Sequence, residues 1–270
     1  MITHRSLIND TSFLRDYPDM TQTTVQALCH SAAIQPLKWA PKPTSGWIEL
    51  SPILMGIVAE CRPLVTVELG SNDGVSICSV NQVIKPYNAG ILDSSKHQRS
   101  FSVDPDEHLR PAGSPAAKFR VEMGKYFTSE YGKFGSVISF DTEQARYYIP
   151  DECANLFLLN LSRPYDELRK IYDRWISKID PKAILVIYGT QGRTEVTAGL
   201  QKLYAELSAI MPSFELTHGE GLGLIDLGGN PAESPIAELL SAPEEVKQAV
   251  RNHFAVVGQR MLQATGHAPA

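Results

Sequence analysis

Short apolar runs that alternate with helix-periodic segments constrain this chain more than any other feature. The runs cover residues 64–70, 101–104, 137–141, 156–160 and 183–188. Each is the length of one buried strand. Most are separated by helical spacing, at 75–83, 165–179 and 195–210. Strand–helix alternation predicts βαβ units and a parallel sheet covered on both faces. The pattern then changes. Residues 214–218, the tripeptide Gly219-Glu220-Gly221 and residues 222–227 read as a hairpin. The expected fold is therefore α/β, a Rossmann-like doubly wound sheet of five parallel strands plus a C-terminal antiparallel hairpin. Residues 235–262 add one or two amphipathic helices.

Domain organisation follows from a proline-rich hinge. Residues 36–43 read PLKWAPKP, where proline removes amide donors and restricts φ. Ahead of it, 20–34 has one amphipathic stretch. Residues 1–45 are expected to form an N-terminal helical arm or lid, and 46–270 the main domain. The 270 residues carry 25 Lys plus Arg against 30 Asp plus Glu, a formal net charge of −5. That balance argues against nucleic-acid binding, which needs a basic face. No apolar run reaches bilayer length, so no membrane association is expected. The four cysteines, Cys29, Cys61, Cys78 and Cys153, form no CxxC pair. A reduced, cytoplasmic protein follows, acting on a small-molecule substrate; a homodimer is compatible with it.

The chemistry concentrates at the first strand–helix turn, Val67-Glu68-Leu69-Gly70-Ser71-Asn72-Asp73-Gly74-Val75-Ser76. In a doubly wound sheet, ligands bind outside the carboxyl ends of the strands. Gly70 permits a sharp turn, Gly74 a close approach, and the following helix offers free amides to an anionic group. The glycines are four apart, so this is neither a dinucleotide GxGxxG nor a phosphate-binding Walker loop. The second strand ends in Asp104, a carboxylate suited to a ribose diol.

Together these motifs resemble the class I S-adenosylmethionine-dependent methyltransferases, in particular the catechol-O-methyltransferase-like branch and the small bacterial methyltransferases of glycan and natural-product pathways. The resemblance runs from about residue 45 to 228. Trp47 and Pro52 match the helix before the first strand. Glu68, Leu69, Gly70, Gly74 and Ser76 match the E-L/I-G-x-x-x-G-x-S turn. Val103, Asp104, Asp106 and His108 match V-D followed by D-x-H. Tyr165 matches the residue opening the fourth helix, and His218, Gly219, Gly221, Leu222 and Gly223 match H-G-x-G-L-G.

The resemblance implies S-adenosyl-L-methionine as cofactor. It places Gly70 and the neighbouring Ser71 and Asn72 at the methionine moiety and Ser76 on its carboxylate. It places Asp104 on the ribose and Asp141 near the adenine, with Glu68 and Gly74 in the same turn. Two segments depart from the metal-using members. Asn160 stands where they carry an aspartate, and Arg163 where they carry a histidine. Tyr188-Gly189 replaces a later His-Asp. An amide brings no charge and an arginine repels a cation, so no divalent metal site is expected. His108 becomes the candidate general base, with Tyr188 and Asn160 beside it and Arg163 and Tyr165 on the substrate.

The resulting expectation is metal-independent methyl transfer to a hydroxyl or amine of a small polar metabolite, a sugar or natural-product intermediate. Two alternatives stay open. One is another reaction of S-adenosylmethionine, aminocarboxypropyl transfer or cyclisation, that releases methylthioadenosine. The other is an inactive scaffold.

Overall fold

A computed structural model describes residues 24–40, 45–106, 111–230, 234 and 236–266. A seven-stranded sheet organises it: β1 Val65–Leu69, β2 Arg99–Val103, β3 Gly135–Ile138, β4 Ala154–Leu159, β5 Ile179–Tyr188, β6 Ser213–Leu216 and β7 Leu222–Asp226. The spatial order is β3-β2-β1-β4-β5-β7-β6. The first five strands pair in parallel, and β7 runs antiparallel to both β5 and β6. This is the doubly wound sheet with a terminal hairpin that the residue pattern predicts.

One face carries α1 Thr24–His30, α2 Trp47–Cys61, α3 Val75–Ala89, α4 Pro115–Tyr131, α8 Ala237–Ser241 and α9 Glu244–Ala264. The opposite face carries α6 Tyr165–Trp175 and α7 Glu195–Ser208; the one-turn α5 spans Thr142–Ala145. Each face has its own apolar layer. Val67, Leu69, Phe157 and Leu159 face Leu168, Trp175, Leu200 and Leu203. Leu156, Leu158, Ile184 and Val186 face α2 and α3. Central strands buried on both sides are what a continuous Val/Ile/Leu run requires.

Local chemistry explains several boundaries. Pro52 lies inside α2 and cannot donate to the Ile48 carbonyl four residues back. The Ser51 hydroxyl donates to that carbonyl instead, at 2.8 Å. The helix ends at Arg62, which adopts φ +45° and donates its N–H to Val58. Pro115 opens α4 next to the Ser114 cap, whose hydroxyl accepts from the Ala117 amide at 3.1 Å.

The sequence reading does not include α4, which is the largest omission. The helix has an acid-and-base-rich exterior, and only Arg120, Met123, Phe127 and Tyr131 are buried. Their spacing of three or four residues is the legible signal. Helix α3 also runs past its expected end, through Pro86 to Ala89. The described part of the arm is a component of the core. Leu28, Cys29 and Ile34 are fully buried, and the buried His253 of α9 meets the Cys29 carbonyl at 3.2 Å. Residues 1–23 and 41–44 lie outside the described residues. Among those described, no helix is long and apolar enough to cross a membrane.

Candidate active site

The parallel sheet reverses its winding between β1 and β4, and their carboxyl ends define the crevice. Gly70 follows β1 with φ +92°, and Gly74 caps α3 with φ +77°. A Cβ on Gly70 would collide with the backbone carbonyl oxygen of Asn160. Glycine is therefore required there by conformation and by contact.

Asn160 was expected to face the pocket as a catalytic group. Instead it is 1% exposed and brackets the turn. Its side-chain amide donates to the Gly70 carbonyl at 2.9 Å, and its backbone N–H donates to Leu69 at 2.9 Å. Asn72, itself at φ +40°, donates its side-chain amide to the Asn160 carbonyl at 3.1 Å. Asn160 thus holds the glycine turn in place.

Glu68 and Ser76 are likewise internal. The Glu68 side chain is fully buried beneath the turn. It accepts from the Ser76 hydroxyl, and from the Ser102 hydroxyl at 2.6 Å. Burial pushes the Glu68 carboxyl up to about 7, against the two serine hydrogen bonds that lower it. The Ser76 hydroxyl, expected on a ligand carboxylate, is thus engaged with Glu68.

Asp104 is where the sequence placed it, at the end of β2, and it is nearly buried. Arg120 of α4 lies 2.7 Å from its carboxylate. The same guanidinium donates to the Ser71 hydroxyl at 3.1 Å and to the Asn72 carbonyl at 3.2 Å. One buried cation therefore ties the glycine turn to the second-strand acid. Sequence reasoning missed Arg120 because it missed α4.

The hinge region, Tyr188 and the β6–β7 turn meet beside the glycine turn. Trp39 donates its indole N–H to the Asp73 carbonyl at 2.9 Å and stacks on Tyr126. The Ser45 hydroxyl donates to the Asp73 carboxylate, whose value burial raises. Tyr188 stacks on Trp47 at 4.8 Å between ring centres, with its hydroxyl against Gly46. Burial raises the Tyr188 phenol, and the carboxylates of Glu220, Asp73 and Glu49 add to the rise. Burial holds His218 below the ordinary imidazole value, while its contact with the Glu49 backbone raises it.

Other expected residues fall elsewhere. Asp141 is exposed and caps α5, its carboxylate accepting from the amides of Glu143 and Gln144 at 2.8 and 2.9 Å. Arg163 is ion-paired with Asp106, and with Glu167 at 3.2 Å. Tyr165 donates to Glu206 under the Lys202 ammonium, 3.9 Å from the ring centre. Arg163 and Tyr165 line a separate cleft of about 420 Å³ between the starts of α6 and α7. His108 lies outside the described residues. Cys78 is buried, which raises its thiol well above the ordinary value.

No family model matches the chain. A curated relative, the uncharacterised protein y4gI of Sinorhizobium fredii (strain NBRC 101917 / NGR234), is 28% identical over 226 residues. The match covers 82% of this chain and 23% of the relative, so the chain spans about a quarter of that protein's length. An O-methyltransferase structure from Bacillus cereus, in complex with S-adenosylhomocysteine, is similar at 10% identity and TM-score 0.45, covering 82% of this chain and 99% of that one. The S-adenosylhomocysteine-bound methyltransferase PaMTH1 of Podospora anserina is similar at 12% identity and TM-score 0.48, covering 80% and 94%. Spermidine synthase of Thermotoga maritima is similar at 12% and 0.45, covering 72% and 66%. The sheet order and the single reversed strand of this chain decide its architecture. The fold is a Rossmann-like α/β sheet of five parallel strands closed by an antiparallel hairpin. Within that fold, Gly70, Ser71, Asn72, Gly74 and Asp104 gather at one carboxyl-edge crevice, whereas Asp141, Arg163 and Tyr165 stand apart from it.

Proposed function

We propose that this chain is an S-adenosylmethionine-dependent methyltransferase that acts, without a metal ion, on a hydroxyl or amine of a small polar metabolite. The observation that carries the reading is the Asp104–Arg120–Ser71 linkage across the crevice. It holds a ribose-type acceptor and a glycine turn in one fixed frame before any ligand arrives. Preorganised polar groups bind with less ordering cost.

The residues present fit the cofactor in kind. Asp104 supplies the carboxylate for a diol. The amides of Gly70, Ser71, Gly74 and Val75 already donate within the turn and to β2, so an anionic group would be favoured by the first turn of the fifteen-residue helix that follows. When bound, S-adenosylmethionine supplies an activated methyl group on a sulfonium. The protein's share is then alignment and exclusion of water. We assign Tyr188, held by stacking on the buried Trp47, to that position. His108 is retained as the base on its sequence position, four residues beyond Asp104.

Metal independence is supported by the chemistry at the altered positions. The Asn160 amide is committed to Gly70, and the Arg163 cation occupies the position of a metal-ligating histidine, already paired with Asp106. The acceptor class, a sugar or natural-product intermediate, rests on the sequence resemblance.

Calorimetry with S-adenosylmethionine and S-adenosylhomocysteine tests the reading, followed by mass spectrometry of the incubated cofactor with candidate acceptors. Micromolar binding and formation of S-adenosylhomocysteine are expected. Methylthioadenosine as product would replace methyl transfer with another reaction of the cofactor. Folded protein that binds neither compound would leave the scaffold reading.

A further inference from the structure

Consecutive carbonyls of the glycine turn are each held by a donor. Gly70 accepts from the Asn160 side-chain amide at 2.9 Å, and Ser71 from the Gly74 N–H at 2.7 Å. Asn72 accepts from Arg120 at 3.2 Å, and Asp73 from the Trp39 indole at 2.9 Å. The last donor differs from the others in origin. Trp39 belongs to the proline-rich hinge, ahead of the span that carries the family resemblance. Its bond pins one peptide plane at both ends, because the Asp73 carbonyl and the Gly74 N–H share a peptide unit. That plane leads into Gly74, at φ +77°, where α3 starts.

The Trp39 donor is placed by contacts outside the turn. Its ring stacks on Tyr126 at 5.0 Å and lies 5.7 Å from Phe119, both on α4. Gln82 of α3 accepts from the Lys38 amide and donates to the Pro36 carbonyl, each at 3.0 Å. Ser45 reaches the same target from the other side of the hinge. It is 5% exposed and donates to the Asp73 carboxylate. Its oxygen accepts from the Trp47 amide at 3.2 Å, which ties it to the start of α2. The Asp73 carboxylate in turn accepts from the Val75 amide at 3.0 Å. Asp73 is therefore gripped at its carbonyl and at its carboxylate by two residues that precede the first strand.

We propose that Trp39 and Ser45 are positioning residues for cofactor binding. They act through Asp73 and hold the glycine turn in the conformation that receives the ligand. A preformed turn binds with a smaller ordering cost, so a lost bond is read as lost affinity. The inference deepens the methyltransferase reading and rests on it for the identity of the ligand.

Amide hydrogen exchange and calorimetry on the full chain test it. Trp39→Phe keeps a ring against Tyr126 and Phe119 but deletes the indole N–H, and Ser45→Ala deletes the hydroxyl. Without ligand, the Gly74 and Val75 amides are expected to exchange about tenfold or more faster in each variant, with Leu69 of β1 within about twofold of wild type. Affinity for S-adenosylhomocysteine is expected to fall about fivefold or more in each. Val257→Ala, a core truncation on α9, is the control for lost stability and is expected to bind within about twofold of wild type. Exchange at wild-type rates in both variants overturns the proposal. Faster exchange with unchanged affinity also overturns it, since the two bonds then serve stability alone. An equal loss of affinity in Val257→Ala does the same. An effect confined to one variant removes the other residue from the role. Wild-type protein that does not bind S-adenosylhomocysteine overturns the methyltransferase reading and the cofactor role with it, while the exchange rates still decide whether the hinge fixes the turn.

Discussion

Arg120 and Asp104 form a buried ion pair at 2.7 Å, reaching from the middle of α4 to the end of β2. Both side chains are nearly excluded from water, so each depends on the other for its charge to be tolerated. Because the guanidinium also holds Ser71 and Asn72, the pair fixes the glycine turn as well as the acid.

Truncating Arg120 to methionine removes the guanidinium from the buried Asp104 carboxylate. The expected loss is about 3–5 kcal/mol in urea-induced unfolding. Arg120→Lys is expected to recover part of the stability but not the affinity for S-adenosylhomocysteine, because an ammonium cannot fork across Asp104 and Ser71. Calorimetry of the lysine variant at wild-type affinity would remove Arg120 from the site.

The Gly70–Asn160 contact gives a paired prediction. Gly70→Ala places a Cβ against the Asn160 carbonyl at a φ of +92°. The left-handed conformation alone costs about 1–2 kcal/mol, before the collision is counted. Asn160→Asp keeps the shape but replaces the donor to Gly70 by an acceptor, at a cost of about 1–3 kcal/mol. Thermal melts measure both, and an Asn160→Asp protein as stable as wild type would show that the bracket is not needed.

Glu68 makes stability depend on pH with a defined sign. Its carboxyl titrates at about 7 in the folded protein, against an ordinary value of 4.5. Between these values the folded state holds a proton that the unfolded state has lost, so stability falls as pH rises and is flat above 7. Replacing Glu68 by glutamine removes that dependence. The stability difference between Glu68→Gln and wild type should grow in favour of the variant by roughly 3 kcal/mol across the window. Urea midpoints at pH 5 and pH 8 measure it; parallel pH profiles would place the Glu68 value near that of an ordinary carboxyl.

Chelation is expected to change nothing. Asn160 is bonded to Gly70, and Arg163 carries a positive charge paired with Asp106. Affinity for S-adenosylhomocysteine and the rate of product formation should each stay within about twofold after EDTA treatment, since no hard-cation site is assembled from these groups. Activity lost to EDTA and restored by magnesium would place a metal in the reaction.

Strand–helix alternation, the terminal hairpin, the glycine turn and Asp104 were all legible in the residue order. Each depends on local periodicity, on a residue's own conformational range or on its position in a strand. The roles of individual side chains were less legible. Asn160, Ser76 and Asp141 have the right chemistry for ligands, yet the first two are turned inward to Gly70 and Glu68 and the third caps a helix. A polar atom near a turn bonds whichever partner comes within reach, and sequence spacing does not reveal whether that partner is protein or ligand.

The sequence by itself determined the layer architecture and the crevice at the first strand's end. Buried apolar runs permit only a covered parallel sheet, and such a sheet opens a crevice where its winding reverses. Only the tertiary structure decided which charges meet there. Arg120 lies sixteen residues from Asp104 and forty-nine from Ser71 in the chain. Gly46, Tyr188 and Glu220 likewise come together from three distant segments. Long-range packing, not local propensity, brings them into contact, and burial then sets whether a carboxylate is paired with a cation, as Asp104 is, or favours its protonated form, as Glu68 does.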